Sequence, residues 1–268
     1  LIAILLLLRF YHLTYDFPED ITTSGVLYTD EGWYAQNAIY YILEGDWYLE
    51  GGYNPAVNVP VLQVIQIAVF KVFGFGIATL RALIVFFTAG TIGLAYLLVR
   101  RFEGHATALL TAALLTLNHL LFAYSRLSLA EIPMIFFVML AFLFGAMSRG
   151  KYRYLYAALA ALAFVLALLT KTSALFAVPI LGLLIVFQEL DWKKVAIKFA
   201  ICSGVFFLCM GIYYLALVRP FVEDFKYFQS LNVGLTSTTD LGEISEQFFT
   251  ILSELDDVEK VLSQVLPW

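Results

Sequence analysis

The chain has 268 residues, of which 62% are hydrophobic and 14% are charged, and its mean hydropathy is +0.85. Soluble domains carry roughly a quarter of charged residues, so this composition excludes a soluble globular protein and indicates a membrane protein. The formal net charge of −5 and the pI of about 5.2 argue against a nucleic-acid partner.

The first predicted element is the apolar run LIAILLLLRF at residues 1–10. It is shorter than the ~20 residues that a helix needs to cross a bilayer. We interpret it as the second half of a first transmembrane helix in a truncated chain, and the tail of a signal sequence is the alternative.

A polar interval at residues 11–58 follows and is predicted to form the first outer loop. The next segment, PVLQVIQIAVFKVFG at residues 60–74, is short and interrupted by Gln63, Gln66 and Lys71. We therefore expect a juxtamembrane helix that does not cross the membrane.

The clearer apolar blocks are long enough to be membrane spans. Only helices and closed barrels satisfy their backbone inside lipid, so the predicted fold is an all-α, polytopic transmembrane helical bundle. Residues 1–218 are predicted to form the transmembrane domain, and the polar, acidic residues 219–268 a truncated segment on the outer face. The blocks lie at residues 82–99, 105–122, 132–147, 154–170, 172–187 and 195–218.

Orientation follows from charge, because cytoplasmic loops collect lysine and arginine. Eight cations fall in three alternate loops. These loops all lie on the cytoplasmic side only if residues 60–74 do not cross the membrane. The candidate functional residues then share the outer face, which predicts a multi-pass cell-membrane protein with an extracytoplasmic active site. The eight cations are Arg100, Arg101, Arg149, Lys151, Arg153, Lys193, Lys194 and Lys198.

The first candidate motif is LYTDEGWYAQNAIYYILEGDWY at residues 27–48, in which Asp30 and Glu31 precede a run of tryptophans and tyrosines. Acidic residues favour helix starts through the macrodipole, and aromatic residues favour the membrane interface. Ionisable groups at membrane depth are also candidates for function, because they are costly unless partnered. On the residues alone, both interpretations stay open.

The second motif, YSRLSLAEIPMIFF, contains Ser128 and Glu131 at the spacing of a helix capping box. That structural interpretation does not explain Arg126, a cation on the outer side. Lys171 divides two apolar blocks, and a lysine that extends to the interface is its structural alternative. Arg81 and Arg219 are further outer-side cations at helix ends.

Metal chemistry finds no support in the sequence. The three histidines, His12, His105 and His119, show no metal-ligand spacing with one another or with Cys202 and Cys209. Phosphate-binding loops, dinucleotide fingerprints and nucleophile elbows are absent from the sequence. We expect no metal and no other cofactor.

The segment TDEGWYAQNAIYYILEGDW resembles the first outer loop of the polyprenyl-phosphate-dependent glycosyltransferases of the GT-C fold, specifically the protein O-mannosyltransferases and lipid A aminoarabinose transferases. In that group an Asp-Glu pair opens a juxtamembrane helix that ends in a Gly-Asp-Trp-like turn, here residues 45–47. The resemblance covers about residues 28–185 and implies that the chain holds about the N-terminal half of a family member.

Further positions match the family's pattern. Arg81 falls on its arginine after Phe-Gly, Arg126 and Glu131 on its arginine and a following acid, and Lys171 on a lysine between two later spans. The acid is Glu here, where the family usually has Asp. The Lys-Pro-Pro turn of many members is absent from the region of Asn54 to Pro60.

The resemblance implies an inverting glycosyltransferase of the cell envelope. It would move a hexosyl or pentosyl group from a polyprenyl-phosphate co-substrate in the lipid bilayer to a hydroxyl of a protein, lipid or glycan. Asp30 would be the general base, and Glu31 would orient Asp30 or pair with a cation. Glu131 would support Arg126. The implied donor-phosphate ligands are Lys171, Arg126, Arg81 and Arg219.

A non-catalytic carrier is the alternative function, with the same acids and cations lining a substrate path. Carriers often contain paired inverted halves, and the sequence shows no such internal symmetry.

Overall fold

The computed structural model describes residues 2–14, 27–52 and 54–232, and for residues 27–30 and 229–232 it describes the backbone alone. Every regular element in these ranges is helical, which confirms the predicted all-α class. The α-helices are α1 (Ile2–Leu8), α2 (Leu27–Glu44), α3 (Pro60–Phe73), α4 (Ile77–Leu117), α5 (His119–Tyr124), α6 (Glu131–Met147), α7 (Arg153–Leu168), α8 (Val178–Phe187), α9 (Trp192–Tyr213) and α10 (Val222–Asn232).

Shorter helical turns extend several of these elements. Pro55–Val57, Gly150–Tyr152 and Thr172–Ala177 are 3₁₀ turns, and Tyr214–Val218 is a π-helical turn. The chain divides into two compact units, Leu1–Phe221 and Val222–Trp268, and α10 belongs to the second. The functional boundary drawn between residues 218 and 219 stays a prediction.

Three helical segments among the described residues are long and apolar enough to cross a membrane: Ile77–Leu117, Gly150–Leu168 and Trp192–Val218. Three shorter apolar helices, Pro60–Phe73, Glu131–Met147 and Thr172–Phe187, complete the bundle. With 14 residues, α3 is about 21 Å long and shorter than the ~30 Å hydrocarbon core. This length agrees with a helix that does not cross.

Helix α4 contains a break that separates two of the predicted blocks. Gly104 has φ 85° and ψ −178°, values outside the helical region. The Tyr96 hydroxyl lies 2.8 Å from His105 Nδ1, although nine residues of straight helix would separate them by about 13 Å and place them on opposite faces. The chain therefore bends sharply at Gly104. The second arm ends at Leu117, short of the predicted residue 122, and Asn118 caps α5.

Small residues bring the central helices close together. On α4, an added Cβ at Gly90 would lie 2.6 Å from a ring carbon of Phe136 on α6. Ala157, Ala160 and Ala163 of α7 are almost fully buried, and small side chains let helices approach closely in membranes, where apolar lipid weakens other driving forces. The core thus lies along α6 and α7, between α4 and α9.

Helices α2 and α3 pack on each other and form a layer across one end of this bundle. The Val61 amide donates to the Leu169 carbonyl at 3.4 Å, just beyond α7. The Tyr213 hydroxyl donates to the Val57 carbonyl at 2.8 Å, at the end of α9. The α2–α3 layer therefore covers the end of the bundle where α7 and α9 terminate, and the eight loop cations lie toward the opposite helix ends.

Candidate active site

A buried ion pair fixes the start of α2. The Glu31 side chain is bound at both oxygens by Arg81, with Nε–Oε1 at 2.9 Å and Nη2–Oε2 at 2.7 Å. Glu31 Oε1 also accepts a hydrogen bond from the backbone amide of Ser128 at 2.6 Å. Glu31 and Arg81 are each only 2% exposed. Fork-to-fork geometry and additional donors are what a buried pair needs to offset the loss of hydration, so Glu31 ties α2 to α4 and to the loop before α6.

Two arginines hold the turn that follows α1. Arg81 Nη1 donates to the Leu13 carbonyl at 2.8 Å, and Arg126 Nη2 donates to the His12 carbonyl at 2.6 Å. His12 has φ 50°, an uncommon value for a residue other than glycine. Burial and then the positive charge of Arg81 lower the pKa of Arg126. Arg81 is bound to Glu31, and Arg126 lies close enough to Arg81 for their positive charges to interact.

Lys171 and Glu131 form a second ion pair close to the first. The Lys171 ammonium donates to the Glu131 carboxylate and lies 5.9 Å from the centroid of the Tyr34 ring. Burial lowers the pKa of Lys171, but its hydrogen bonds and charge interactions with Glu131 and Tyr34 outweigh burial and raise the pKa above the ordinary 10.5. The ammonium is thus held in its charged form beside α2.

The predicted capping box at residues 128–131 is wrong. The N-cap of α6 is Ala130, which makes no side-chain capping hydrogen bond. Ser128 instead gives its backbone amide to Glu31, and Glu131 turns its carboxylate toward Lys171. Long-range partners have replaced the local pairing that the spacing suggested. Glu131 pairs with Lys171 in the structure, and its support of Arg126 stays a prediction.

Helix α2 connects the two ion pairs. Glu31 and Tyr34 are three residues apart and so are neighbours on the helix surface. Position 30 lies four residues before Tyr34 and shares its helix face. The Asp30 side chain lies outside the described part of the chain, so its role stays a prediction. The backbone nevertheless places position 30 on the α2 face that meets Lys171 through Tyr34.

A cavity of about 310 Å³ borders the Glu31–Arg81 pair. Its walls include Glu31, Arg81 and Gly32 together with apolar side chains such as Phe75 and Leu80. The volume is at the lower end of the ~300–1,000 Å³ found for ligand sites. A polar corner within apolar walls is the usual composition of a site that orients a ligand.

Two buried oxygen atoms near these pairs are unsatisfied. Ser128 Oγ and Glu131 Oε2 have no hydrogen-bond partner within the described residues. Buried polar atoms are almost always paired, so these two atoms are candidate contacts for water or a polar ligand.

The sequence analysis missed Arg9, which is fully buried. Its guanidinium donates to the carbonyls of Thr116 at 2.9 Å and Leu121 at 3.0 Å, and to Ser125 Oγ at 2.6 Å. Arg9 lies 5.1 Å from the centroid of the Phe122 ring, and Arg126 lies 5.8 Å from the same centroid. The sequence feature that could have identified Arg9 is its position, as the charged residue directly after the first apolar run. Tyr34 was also missed, although its spacing from Asp30 is one helical turn.

Arg219 lies elsewhere in the same unit. It is exposed at the end of the π-helical turn. Phe221, two residues later, stacks on Tyr48 at 4.6 Å and meets Trp47 edge-on at 5.0 Å. The backbone after α9 is therefore close to the turn that follows α2. Among the described residues, no contact links Arg219 to the ion pairs, and its assignment to the donor phosphate stays a prediction.

The described residues contain no group of three or more His, Cys, Asp or Glu side chains that could hold a metal ion. Chemistry without a metal therefore stays a prediction, and the groups that the structure does bring together are carboxylates and cations.

Comparisons with known proteins place this site in a family. The family model described as dolichyl-phosphate-mannose-protein mannosyltransferase matches residues 1–222, a range that contains every candidate site residue. An uncharacterized protein of Aquifex aeolicus (strain VF5) is 31% identical over 230 residues, which cover 82% of this chain and 43% of that protein. The chain thus spans less than half the length of this relative, and no solved structure matches it. It belongs to the dolichyl-phosphate-mannose-protein mannosyltransferase family.

Proposed function

We propose that the protein is an inverting membrane glycosyltransferase that moves a sugar from a polyprenyl phosphate to an acceptor hydroxyl on the outer face of the membrane. The observation that carries this proposal is the contact of Lys171 with Tyr34 and Glu131. It brings a charged ammonium to the helix face that contains position 30. Family membership supports the class of activity.

The chemistry requires a cation and a base. The bond between the anomeric carbon and the phosphate oxygen breaks as the acceptor oxygen attacks from the opposite side, which inverts the anomeric centre. The electron pair leaves with the phosphate, whose added charge needs preorganised positive groups. The acceptor proton passes to a carboxylate, a contribution of typically ~10²–10⁴-fold.

Asp30 is our choice for the base because both oxygens of Glu31 already accept hydrogen bonds from Arg81 and Ser128. The Glu31 oxygens accept three hydrogen bonds, two from Arg81 and one from Ser128. An almost fully buried carboxylate with these donors is an anchor for α2. Asp30 is the adjacent carboxylate, on a different side of the same helix.

Lys171 is our choice for the principal phosphate ligand. An ammonium has three donors, so Lys171 can keep Glu131 as a partner while it donates to a phosphate oxygen. Its raised pKa keeps the positive charge through neutral pH. Arg126, in the loop before α6, supplies a further guanidinium for the phosphate. Arg81 is bound to Glu31 and acts in this proposal mainly by holding α2 in place.

The donor class is a hexosyl or pentosyl polyprenyl phosphate, and the acceptor is a protein, lipid or glycan of the cell envelope. The family's description names dolichyl-phosphate mannose and a protein, which favours mannose and a protein acceptor. The proposed reaction uses no metal and takes place in a multi-pass protein of the cell membrane.

The test measures donor binding and sugar transfer separately for Lys171→Met. Lys71→Met is the matched control, because Lys71 also donates to a tyrosine, Tyr41 at 3.2 Å, but forms no ion pair with an acid among the described residues. We expect Lys171→Met to weaken binding of a polyprenyl-phosphate sugar and to reduce transfer, and the control to retain both. Wild-type protein that moves the lipid-linked sugar across vesicles without transferring it would favour the carrier instead.

A further inference from the structure

A groove on the surface of the bundle lies close to a buried lysine, Lys198, the residue before Phe199 of the groove wall. The groove has a volume of about 240 Å³ and lies between α7, α8 and α9. Its walls are almost entirely apolar and include Phe164, Leu181, Ile185 and Phe206. Cys202 and Ser203 of α9 also line it, and the Cys202 thiol donates to the Ala157 carbonyl of α7 at 3.4 Å.

Beyond the groove, the chain of each of the three helices reaches a charged residue at the same end. Arg153 lies two helical turns before Ala161, Glu189 lies one turn after Ile185, and Lys198 lies one turn before Cys202. Arg153 and Glu189 form an ion pair, and both interact electrostatically with Lys198. A cluster of two cations and one acid therefore lies beyond one end of the apolar groove.

Lys198 shares its acidic neighbour, Glu189, with Arg153. Its side chain is fully buried, and its Nζ atom has no hydrogen-bond partner among the described residues. A buried ammonium without a counter-ion is unfavourable. Because Glu189 is bound to Arg153, one positive charge in the cluster remains uncompensated. An anion at this end of the groove would compensate it.

The helix ends add to the preference for an anion. Both α7 and α9 begin at this end, at Arg153 and Trp192, and helix N-termini favour negative charge. Helix α8 has 10 residues and a length of about 15 Å, half of the ~30 Å hydrocarbon core. The apolar groove is about as deep as one leaflet of the bilayer and could hold an acyl chain, and the anion site at its end could hold a phosphate headgroup. These are the two parts of a phospholipid.

We infer that the groove between α7, α8 and α9 binds an anionic phospholipid, with the phosphate headgroup at Lys198 and Arg153 and an acyl chain along Ile185 and Phe206. The lipid is a resident ligand, at the opposite end of α7 from Lys171 and separate from the donor-phosphate ligands. Basic pockets between helix ends bind anionic headgroups in this manner.

The experiment compares thermal unfolding of the purified protein in detergent micelles doped with phosphatidylglycerol or with phosphatidylcholine. Retained lipid is counted by native mass spectrometry. We expect wild type to be stabilised by phosphatidylglycerol and to retain it at least about fivefold over phosphatidylcholine, the ratio expected for one basic residue near a membrane surface.

Two variants address the two halves of the site. Lys198→Met should unfold at a higher temperature than wild type in lipid-free detergent, because it removes an uncompensated buried charge, and should lose the response to phosphatidylglycerol. Gly182 lines the groove, and a Cβ there meets no atom within 4 Å. Gly182→Leu should therefore fill the groove and lose retention of the lipid while it leaves Lys198 unchanged.

Matched controls are Lys193→Gln, at an exposed lysine of α9, and Gly204→Leu, at an exposed glycine of α9 that is not part of the groove. Both should respond to phosphatidylglycerol like wild type. Equal retention of the two phospholipids, or an unchanged response in Lys198→Met, would overturn the proposal. It would equally be overturned if inorganic phosphate alone gave the same stabilisation, or if added polyprenyl phosphate displaced the lipid from wild type.

Discussion

At the scale of single residues, the buried Glu31 carboxylate is next in sequence to the proposed base, Asp30. Glu31 binds Arg81 and the Ser128 amide within the bundle, and position 30 is the neighbouring position of α2. Successive helix positions are turned by about 100°, so an Asp-Glu pair can direct one group inward and offer the other to a ligand. In the proposed function, Glu31 anchors α2 and Asp30 is the base.

The first prediction concerns the buried pair. Arg81→Met should lower the free energy of unfolding by about 3–5 kcal/mol, because it leaves the Glu31 charge buried without a counter-ion. Thermal unfolding in detergent measures the change. Arg101→Met, at an exposed arginine of the same helix, is the control and should be nearly neutral. Removing both charges in Arg81→Met/Glu31→Leu should recover part of the loss, and a double variant worse than the single one would contradict this account.

The second prediction concerns pH and Lys171. A folded-state pKa above the ordinary 10.5 means that the stability from the ammonium is fully present below pH 10.5. It is lost only as the pH rises through the folded-state pKa. The difference in melting temperature between wild type and Lys171→Met should therefore stay constant from pH 7 to pH 9.5. A difference that disappears within this range would show that Lys171 is not held as predicted.

At the scale of elements, the break in α4 determines which way its second arm runs. Gly104 adopts φ 85° and ψ −178°, a combination that is essentially restricted to glycine. The sequence predicted two separate apolar blocks here but gave no reason for the sharpness of the bend. The left-handed backbone at one glycine supplies that reason.

The third prediction tests this bend. Gly104→Ala should destabilise the protein by about 1–3 kcal/mol, because alanine has to adopt a strained backbone. Gly93→Ala, within the straight first arm and with no atom within 4 Å of an added Cβ, should be neutral or stabilising. Thermal unfolding of the two variants measures the contrast. Similar effects of both substitutions would mean that the bend does not depend on Gly104.

At the scale of the whole molecule, the candidate site and the positively charged loops lie at opposite ends of the bundle. The α2–α3 layer and both ion pairs of the candidate site lie at one end, and the loops that contain Arg100, Arg149 and Lys193 lie at the other. Positive loops remain in the cytoplasm. In the proposed function the candidate site therefore faces outward, and this placement is a prediction.

The fourth prediction tests this orientation with single cysteines. Glu50→Cys, in the turn after α2, should react with a membrane-impermeant maleimide in intact cells. Lys151→Cys, between α6 and α7, should react only after the cells are permeabilised. Both positions are exposed, and the parent protein with Cys202 and Cys209 in α9 gives the background. Reaction of Lys151→Cys in intact cells would reverse the topology.

The sequence predicted the class of fold because apolar length and composition are local properties. It also selected Asp30, Glu31, Arg81, Arg126, Glu131 and Lys171 as residues of interest. It did not predict the partners, because Glu31 with Arg81 and Glu131 with Lys171 are pairings across 50 and 40 residues that depend on tertiary packing. Local rules instead paired Glu131 with Ser128. Arg9 was missed because its partners are mostly backbone carbonyls, which no side-chain pattern reveals.

The most direct test is the rate of labelled-sugar transfer from a polyprenyl monophosphate donor by the reconstituted protein, compared between wild type and Asp30→Asn. Glu44→Gln, an exposed acid at the other end of α2, is the control. We predict transfer by wild type and by the control, and a loss of about 10²–10⁴-fold in Asp30→Asn with donor binding intact. Undiminished transfer by Asp30→Asn, or no transfer by wild type from any donor tested, would contradict the proposed function.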